Sequence, residues 1–121
     1  MKSDNIVKKK STDFAVRIMK MVRFLVKEIP FAEHPICTQL LKSGTSIGAN
    51  VREAEHAEST DDFVHKLKVA LKEANETEYW LDLLNESNII SHNEYSIMKS
   101  SLNEIISMLV SSIKTLKERN N

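Results

Sequence analysis

Residues 60–86, TDDFVHKLKVALKEANETEYWLDLLNE, are the stretch that decides the fold. Small or apolar residues recur along it at alternating steps of four and three: Phe63, Leu67, Ala70, Ala74, Thr77, Leu81 and Leu84. This heptad pattern is typical of helices that pack side by side at a small crossing angle. Ser59 is a candidate N-cap before the stretch, and Asn88 is a candidate left-handed cap after it. The stretch therefore predicts one long helix that needs partner helices along its seam.

Three other segments carry an apolar stripe with helical spacing. Helices are predicted over residues 12–29, 35–58, 60–87 and 91–118. Pro30 ends the first stripe, Pro35 suits the first turn of the second helix, and Ser91 with Glu94 forms a capping box before the fourth. Because the intervals between helices are short, roughly 2–6 residues, neighbouring helices should run antiparallel. The fold class is all-α, an antiparallel up-down-up-down four-helix bundle.

The composition fits a single domain of 121 residues. Only 2 glycines and 2 prolines occur, too few for a many-stranded β-fold, and 41% apolar residues is too many for a disordered chain. We predict a flexible N-terminal arm over residues 1–11, a bundle domain over residues 12–118 and a frayed C-terminus over residues 119–121.

No apolar run approaches the ~20 residues that span a bilayer, and the polar start of the chain does not look like a secretory signal. The single cysteine, Cys37, cannot form an internal disulfide. We therefore expect a cytoplasmic protein that has no membrane partner, with Cys37 as an inert and partly buried thiol.

A metal enzyme is the remote alternative. Di-iron bundles use inward-facing Glu-x-x-His pairs, and Glu53 with His56 and Asp62 with His65 have that spacing. On a helical wheel, however, both histidines point away from the apolar stripe. No Ser/His/Asp arrangement is recognisable, so we predict no catalytic residue, no metal, no cofactor and no small-molecule substrate.

Both glycines of the chain fall in the stretch of small residues from Ser43 to Asn50. Glycine costs about 1 kcal/mol relative to alanine inside a helix, so we expect close approach by a neighbouring helix or by Phe14 or Phe63. A phosphate-binding loop is disfavoured because the P-loop spacing and lysine are missing. The predicted helix-packing motif comprises Ser43, Gly44, Ser46, Gly48, Asn50 and Glu53.

The third helix has a second apolar stripe beside its seam. A monomeric bundle needs only one apolar face per helix, so a second face that contains a tryptophan predicts a subunit interface or a wide core. The candidate oligomer interface comprises Val69, Glu73, Glu76, Trp80 and Leu83.

Charge is unevenly distributed along the neutral chain. Residues 1–27 have eight basic and two acidic side chains, whereas residues 28–94 have five basic and thirteen acidic ones. Basic surfaces bind nucleic acid through phosphates, although a basic helix face also simply keeps a protein soluble. The candidate nucleic-acid-binding residues are Lys8, Lys9, Lys10, Arg17, Lys20, Arg23 and Lys27.

Several motifs resemble one known family: Asp13 to Val16, Gln39 to Ala54 with SGTSIGAN at its centre, Asp62 to Leu67, Ala70 to Ala74, and Glu76 to Leu81. The chain is similar, over about residues 11–117, to the bacterial four-helix-bundle proteins named for open reading frames in intervening sequences of 23S rRNA genes. Members are often labelled ribosomal protein. The resemblance implies an antiparallel bundle and a homopentameric, barrel-like assembly.

A related branch comprises accessory proteins of diversity-generating retroelements, which bind RNA and a reverse transcriptase through basic surfaces. The present chain is net neutral, and Arg52 and Glu55 stand where small residues are expected. We therefore predict a non-enzymatic homo-oligomeric scaffold or interaction protein, whose main partner is itself and whose favoured assembly is a pentamer. Association with RNA or a nucleoprotein is the alternative.

Overall fold

The structure is a computed structural model, which describes the backbone of residues 2–119 and the side chains of residues 5–119. Four long helices make up this part of the chain. The helices are α1 (Lys2–Glu28), α2 (His34–Ala54), α3 (Thr60–Glu86) and α4 (His92–Arg119), with a short 3-10 helix over Phe31–Glu33. Residues 2–119 contain no strand, and none of their helices is long and apolar enough to cross a membrane.

Neighbouring helices run antiparallel, as predicted. Lys8 near the start of α1 contacts Glu55 just beyond α2, while Ile18, farther along α1, lies against Gly44 in the middle of α2. The other three pairs of helices show the same reversed order. Ser43 and Glu53 of α2 contact Thr77 and Lys66 of α3 respectively. Glu78 and Asp82 of α3 contact Lys99 and Tyr95 of α4, and Lys10 and Arg17 of α1 contact Glu104 and Ser101 of α4. Because α1 packs on both α2 and α4, the four helices close into a bundle with α1 diagonally opposite α3.

The core follows the predicted stripes closely. The buried residues of α3 are Val64, Leu67, Ala70, Ala74, Thr77, Leu81 and Leu84. The prediction was wrong only in the first turn, where Phe63 is half-buried and Val64 takes its place. Phe63 instead lines an open cleft together with Leu116, between the α2–α3 connection and the end of α4.

The predicted N-caps of α3 and α4 are formed, whereas Ser11 to Asp13, also predicted as an N-cap, lie inside α1. The side-chain oxygen of Ser59 accepts a hydrogen bond from the backbone N–H of Asp62 at 3.0 Å, and Ser91 accepts from Glu94 at the same distance. Each bond satisfies one of the backbone donors that a helix start leaves unpaired.

Asn88 has a positive φ of 61° and ends α3 as predicted. Its N–H donates to the carbonyl of Asn85 at 3.1 Å, and the N–H of Ile89 donates to that of Leu84 at 2.9 Å. These two bonds form a Schellman motif, which turns the chain sharply towards α4.

The predicted flexible arm is corrected over residues 2–11, which belong to α1. Val7 and Ser11 are buried and extend the stripe of Phe14 and Ile18 towards the N-terminus. The predicted boundary came too late because apart from Ile6 and Val7 the residues from 2 to 12 are polar or charged. Met1 lies outside the described residues.

Two other boundaries also differ. The second helix was predicted to reach Glu58, but α2 ends at Ala54 because the next N–H groups bond three residues back, which tightens the chain into a turn. Arg119, predicted to fray, is the last residue of α4, and residues 120–121 lie outside the described part.

Candidate interaction surfaces

The two glycines of α2 lie against α1. A methyl group on Gly44 would meet the side chain of Ile18 at 2.9 Å, which is closer than side chains approach one another. At Gly48 the same group would lie 3.4 Å from the side chain of Ser11, an ordinary contact distance. The close approach therefore comes from a neighbouring helix, as expected: α1 makes it through Ile18 and Ser11, whereas the other expected alternative, Phe14 or Phe63, does not supply the nearest atoms.

The polar members of the helix-packing motif lie on the opposite flank of α2, towards α3. Ser43 is buried, and its hydroxyl lies 3.0 Å from the hydroxyl of Thr77. Ser46 donates to the carbonyl of Lys42 at 2.7 Å. Asn50 and Glu53 complete this flank. Asn50 donates to the carbonyl of Ser46 at 2.8 Å, and Glu53 pairs with Lys66 of α3 at 3.3 Å.

The candidate interface residues form one surface on α3, here called the α3 flank: Val69, Glu73, Glu76, Trp80 and Leu83. Trp80 packs partly against the core and contacts Tyr79 edge-on, with ring centroids 4.9 Å apart. Val69 and Leu83 are half-buried but do not belong to the core cluster of described residues. The flank therefore presents apolar surface that the monomer does not fully cover.

Electrostatics at the α3 flank are dominated by two carboxylates one turn apart. Partial burial raises the pKa of Glu73, and the negative charge of Glu76 raises it further. Lys72 and Lys42 act in the opposite direction, more weakly. Because Lys42 lies on α2, the groups that affect the pKa of Glu73 come from both helices. The helix-packing motif of α2 and the α3 flank therefore border one shared surface.

The basic candidates divide into two groups. Lys8, Lys9 and Lys10 form ion pairs with Glu55, Asp13 and Glu104 respectively, at 3.0, 3.3 and 2.7 Å. Arg17, Lys20, Arg23 and Lys27 are exposed, and within the described side chains none of them has a carboxylate partner. In this second group, no carboxylate within the described side chains competes with an external anion.

Apolar side chains lie among the exposed basic ones, which the sequence analysis missed. Phe24 is 60% exposed, Val16 44% and Met19 41%. We call the combined surface the α1 outer face, consisting of Val16, Arg17, Met19, Lys20, Arg23, Phe24 and Lys27. The signal in the sequence was that these apolar residues fall outside the core stripe of the first helix.

A polar cluster between α3 and α4 was also missed. The ammonium of Lys99 lies 3.0 Å from Glu78 and 3.2 Å from Asp82, and the hydroxyl of Tyr95 donates to Asp82 at 2.5 Å. Burial lowers the pKa of Lys99, but hydrogen bonds with Glu78, Tyr95 and Asp82 outweigh it and leave the pKa raised. The cluster is satisfied internally and fixes how α3 sits against α4.

The residues that resemble metal ligands in the sequence do not come together among the described side chains. Within the described side chains, no group of three or more His, Cys, Asp or Glu residues could hold a metal ion, and both His56 and His65 are exposed. Cys37 is buried, and burial, followed by the charge of Glu33, raises the pKa of its thiol. A cleft of about 420 Å³ lies beside Phe63 and Arg119, between the α2–α3 connection and the end of α4.

The sequence profile of the 23S rRNA-intervening sequence protein family matches residues 3–111. This chain belongs to that family. A similar solved structure is that of a protein of unknown function from the S23 ribosomal protein family of Bacteroides thetaiotaomicron. That protein is 50% identical in sequence, the TM-score is 0.85, and the match covers 93% of this chain and 98% of the other. No protein with a curated function matches the chain.

Membership of the 23S rRNA-intervening sequence protein family confirms the resemblance inferred from the motifs. The matched region begins at residue 3, so it includes the turns of α1 that were predicted to be an arm. The solved relative has the same fold and an unknown function.

Proposed function

We propose that this protein is a non-enzymatic, homo-oligomeric interaction protein of the cytoplasm, assembled as a ring of five copies. The observation that carries the proposal is the α3 flank, where Val69, Trp80 and Leu83 leave apolar surface uncovered beside the α2–α3 seam. Partly buried aromatic and aliphatic side chains of this kind are typical of subunit interfaces. The number five rests on the family resemblance.

The polar contacts between the described helices support a structural role for these groups. The polar groups that lie close together, such as Ser43 with Thr77 and Lys99 with Asp82, satisfy one another between helices. Each of these contacts stabilises the packing of the bundle, and none presents a reactive group to a cleft.

Light scattering on the purified protein tests the assembly. The expected mass is five times 13.8 kDa, whereas a monodisperse monomer at micromolar concentration would contradict the proposal. Leu83→Lys and Val69→Lys should lower the mass without unfolding the protein, since neither residue belongs to the core cluster. Val110→Lys is the matched control, because Val110 is an apolar residue of α4 that is 47% exposed and does not belong to the α3 flank.

A second candidate function, RNA binding, is favoured by the α1 outer face. Four unpaired cations surround an exposed phenylalanine there, and base stacking on an aromatic ring with phosphate contacts to cations is how single strands are bound without sequence preference. An anisotropy titration at two salt concentrations tests it. Lys20→Gln with Lys27→Gln should flatten the salt dependence by ~0.7 per lost phosphate contact. The control is Lys9→Gln with Lys10→Gln, which removes lysines already paired with carboxylates.

A further inference from the structure

We infer that the α3 flank of one copy is covered by the α1 outer face of the next copy. The inference rests on the proposed self-association, and it names the surface that the flank contacts. The two surfaces differ in residues and in charge, so the contact would join unlike parts of two identical chains.

The α3 flank has the groups that bind a guanidinium. Glu73, Glu76 and Trp80 lie on successive turns of α3, and within the described side chains neither carboxylate forms an ion pair. Lys42 and Lys72 offset their mutual repulsion only in part. An arginine satisfies such a site better than a lysine does, because its planar group can donate hydrogen bonds to two carboxylates and also stack on an indole ring.

The α1 outer face supplies these groups from the same chain. Arg17 and Arg23 are exposed; Arg17 has a single weak contact, to the hydroxyl of Ser101 at 3.4 Å. Phe24 is 60% exposed beside them and would cover the apolar residues of the α3 flank. The two surfaces therefore complement each other both in charge and in apolar area.

The positions of the two surfaces exclude a contact within one copy. Because α1 lies diagonally opposite α3 in the bundle, the outer face of α1 points away from the α3 of its own chain. A contact between unlike surfaces repeats head to tail, and it can close into a ring with an odd number of subunits. A contact between two like surfaces pairs copies in twos, which does not produce a ring of five.

Charge reversal tests the inference on the full-length protein. Arg17→Glu with Arg23→Glu should weaken association about tenfold or more, as should Glu73→Arg with Glu76→Arg, because each pair of changes places like charges opposite one another. The control is Asp61→Arg with Glu86→Arg, which reverses two exposed carboxylates of α3 outside the flank. Circular dichroism on every variant establishes that the helices remain folded.

The decisive variant carries all four reversals in one chain. It should regain the mass of the unmodified protein, because every contact again joins opposite charges. Mixing the two doubly reversed proteins should restore association only in alternating order. The mixture should therefore form open or even-numbered assemblies and not a ring of five.

The outcomes separate the inference from the proposed function. If the unmodified protein is a monomer, the proposed function fails and the inference fails with it. If it assembles and Arg17→Glu with Arg23→Glu leaves its mass unchanged, only the inference is overturned. Loss of RNA binding in that variant with the assembly intact would also overturn it and would assign the α1 outer face to RNA.

Discussion

Gly44 shows how one residue sets the distance between α1 and α2. Gly44→Ala would place a methyl group 2.9 Å from a buried, β-branched Ile18 that has little freedom to move. Overpacking of this kind costs about 1–3 kcal/mol, against a gain of about 1 kcal/mol in helix propensity. We expect a net loss of about 1 kcal/mol in the free energy of unfolding, measured by urea denaturation.

The matched control is Gly48→Ala. Its added methyl group would lie at an ordinary 3.4 Å from Ser11, so the gain in helix propensity of up to about 1 kcal/mol should dominate. Opposite shifts of the urea midpoint are expected for the two variants. Equal shifts would show that Ile18 relaxes and that the glycines are not required for the close approach.

Asn88 is the residue whose backbone conformation ends α3. Its φ of 61° costs most side chains about 1–2 kcal/mol, and asparagine tolerates it better than alanine does. Asn88→Ala should therefore lower the melting temperature, while Asn88→Gly should keep it or raise it. Asn85→Ala, inside the helix, is the control and should not destabilise. A stable Asn88→Ala variant would mean that the turn is not under this constraint.

At the scale of the element, the first turns of α1 belong to the bundle. Val7 is 5% exposed, whereas its neighbour Ile6 is 46% exposed. Val7→Ala should cost about 2 kcal/mol of unfolding free energy, since it removes buried methyl groups and leaves a cavity. Ile6→Ala should change it by less than about 0.5 kcal/mol. Identical urea midpoints for the two variants would mean that Val7 is not packed in the core and that the predicted flexible arm is correct.

The stability of the junction between α3 and α4 should depend on pH through the ionisation of Tyr95. The hydrogen bond to Asp82 raises the pKa of Tyr95, and the bond with Lys99 reduces that effect without reversing it. A raised pKa means that the contribution to stability is complete below the ordinary tyrosine pKa of about 10 and is lost as the pH rises through the higher folded value. Absorbance of the phenolate in a Tyr79→Phe background, where Tyr95 is the remaining tyrosine, should show this late titration.

The control for that titration is Asp82→Asn in the same background. Removing the carboxylate should bring the phenolate midpoint down, because the phenol then loses its charged acceptor. If the midpoint stays where it was, the bond between Tyr95 and Asp82 does not persist in solution.

At the scale of the whole molecule, most of the fold could be predicted because burial repeats with the helical period. Leu67, Leu81 and Leu102 lie on the apolar stripes of their helices and are buried in the core, and a cap such as Ser59 marks where a helix begins. The start of α1 could not be found in this way, because Ile6 and Val7 are the two apolar residues among the polar and charged ones of residues 2–12 and do not make a stripe by themselves. The prediction that Phe63 is a core residue was wrong for a related reason, since the helical period does not show which positions of a stripe border a cleft.

The candidate surfaces were less predictable than the core. Which carboxylate pairs with Lys8 or Lys10 depends on the register between helices, and this register follows from packing along their whole length. The cluster around Lys99 depends on the same register between α3 and α4. The sequence locates charged faces, but the structure is needed to decide which charges are neutralised within the chain.

The rate at which the buried Cys37 reacts with a thiol reagent reports how often the bundle opens around it. Its side chain is 1% exposed, and burial keeps the thiol protonated by raising its pKa, so a thiol reagent can react only after the start of α2 separates from the core. Labelling in native buffer should thus be far slower than for free cysteine and should accelerate with urea as the open state becomes more populated. Mass spectrometry would follow the single modification over time. An immediate, complete reaction would instead show that this end of the bundle opens locally while the rest stays folded.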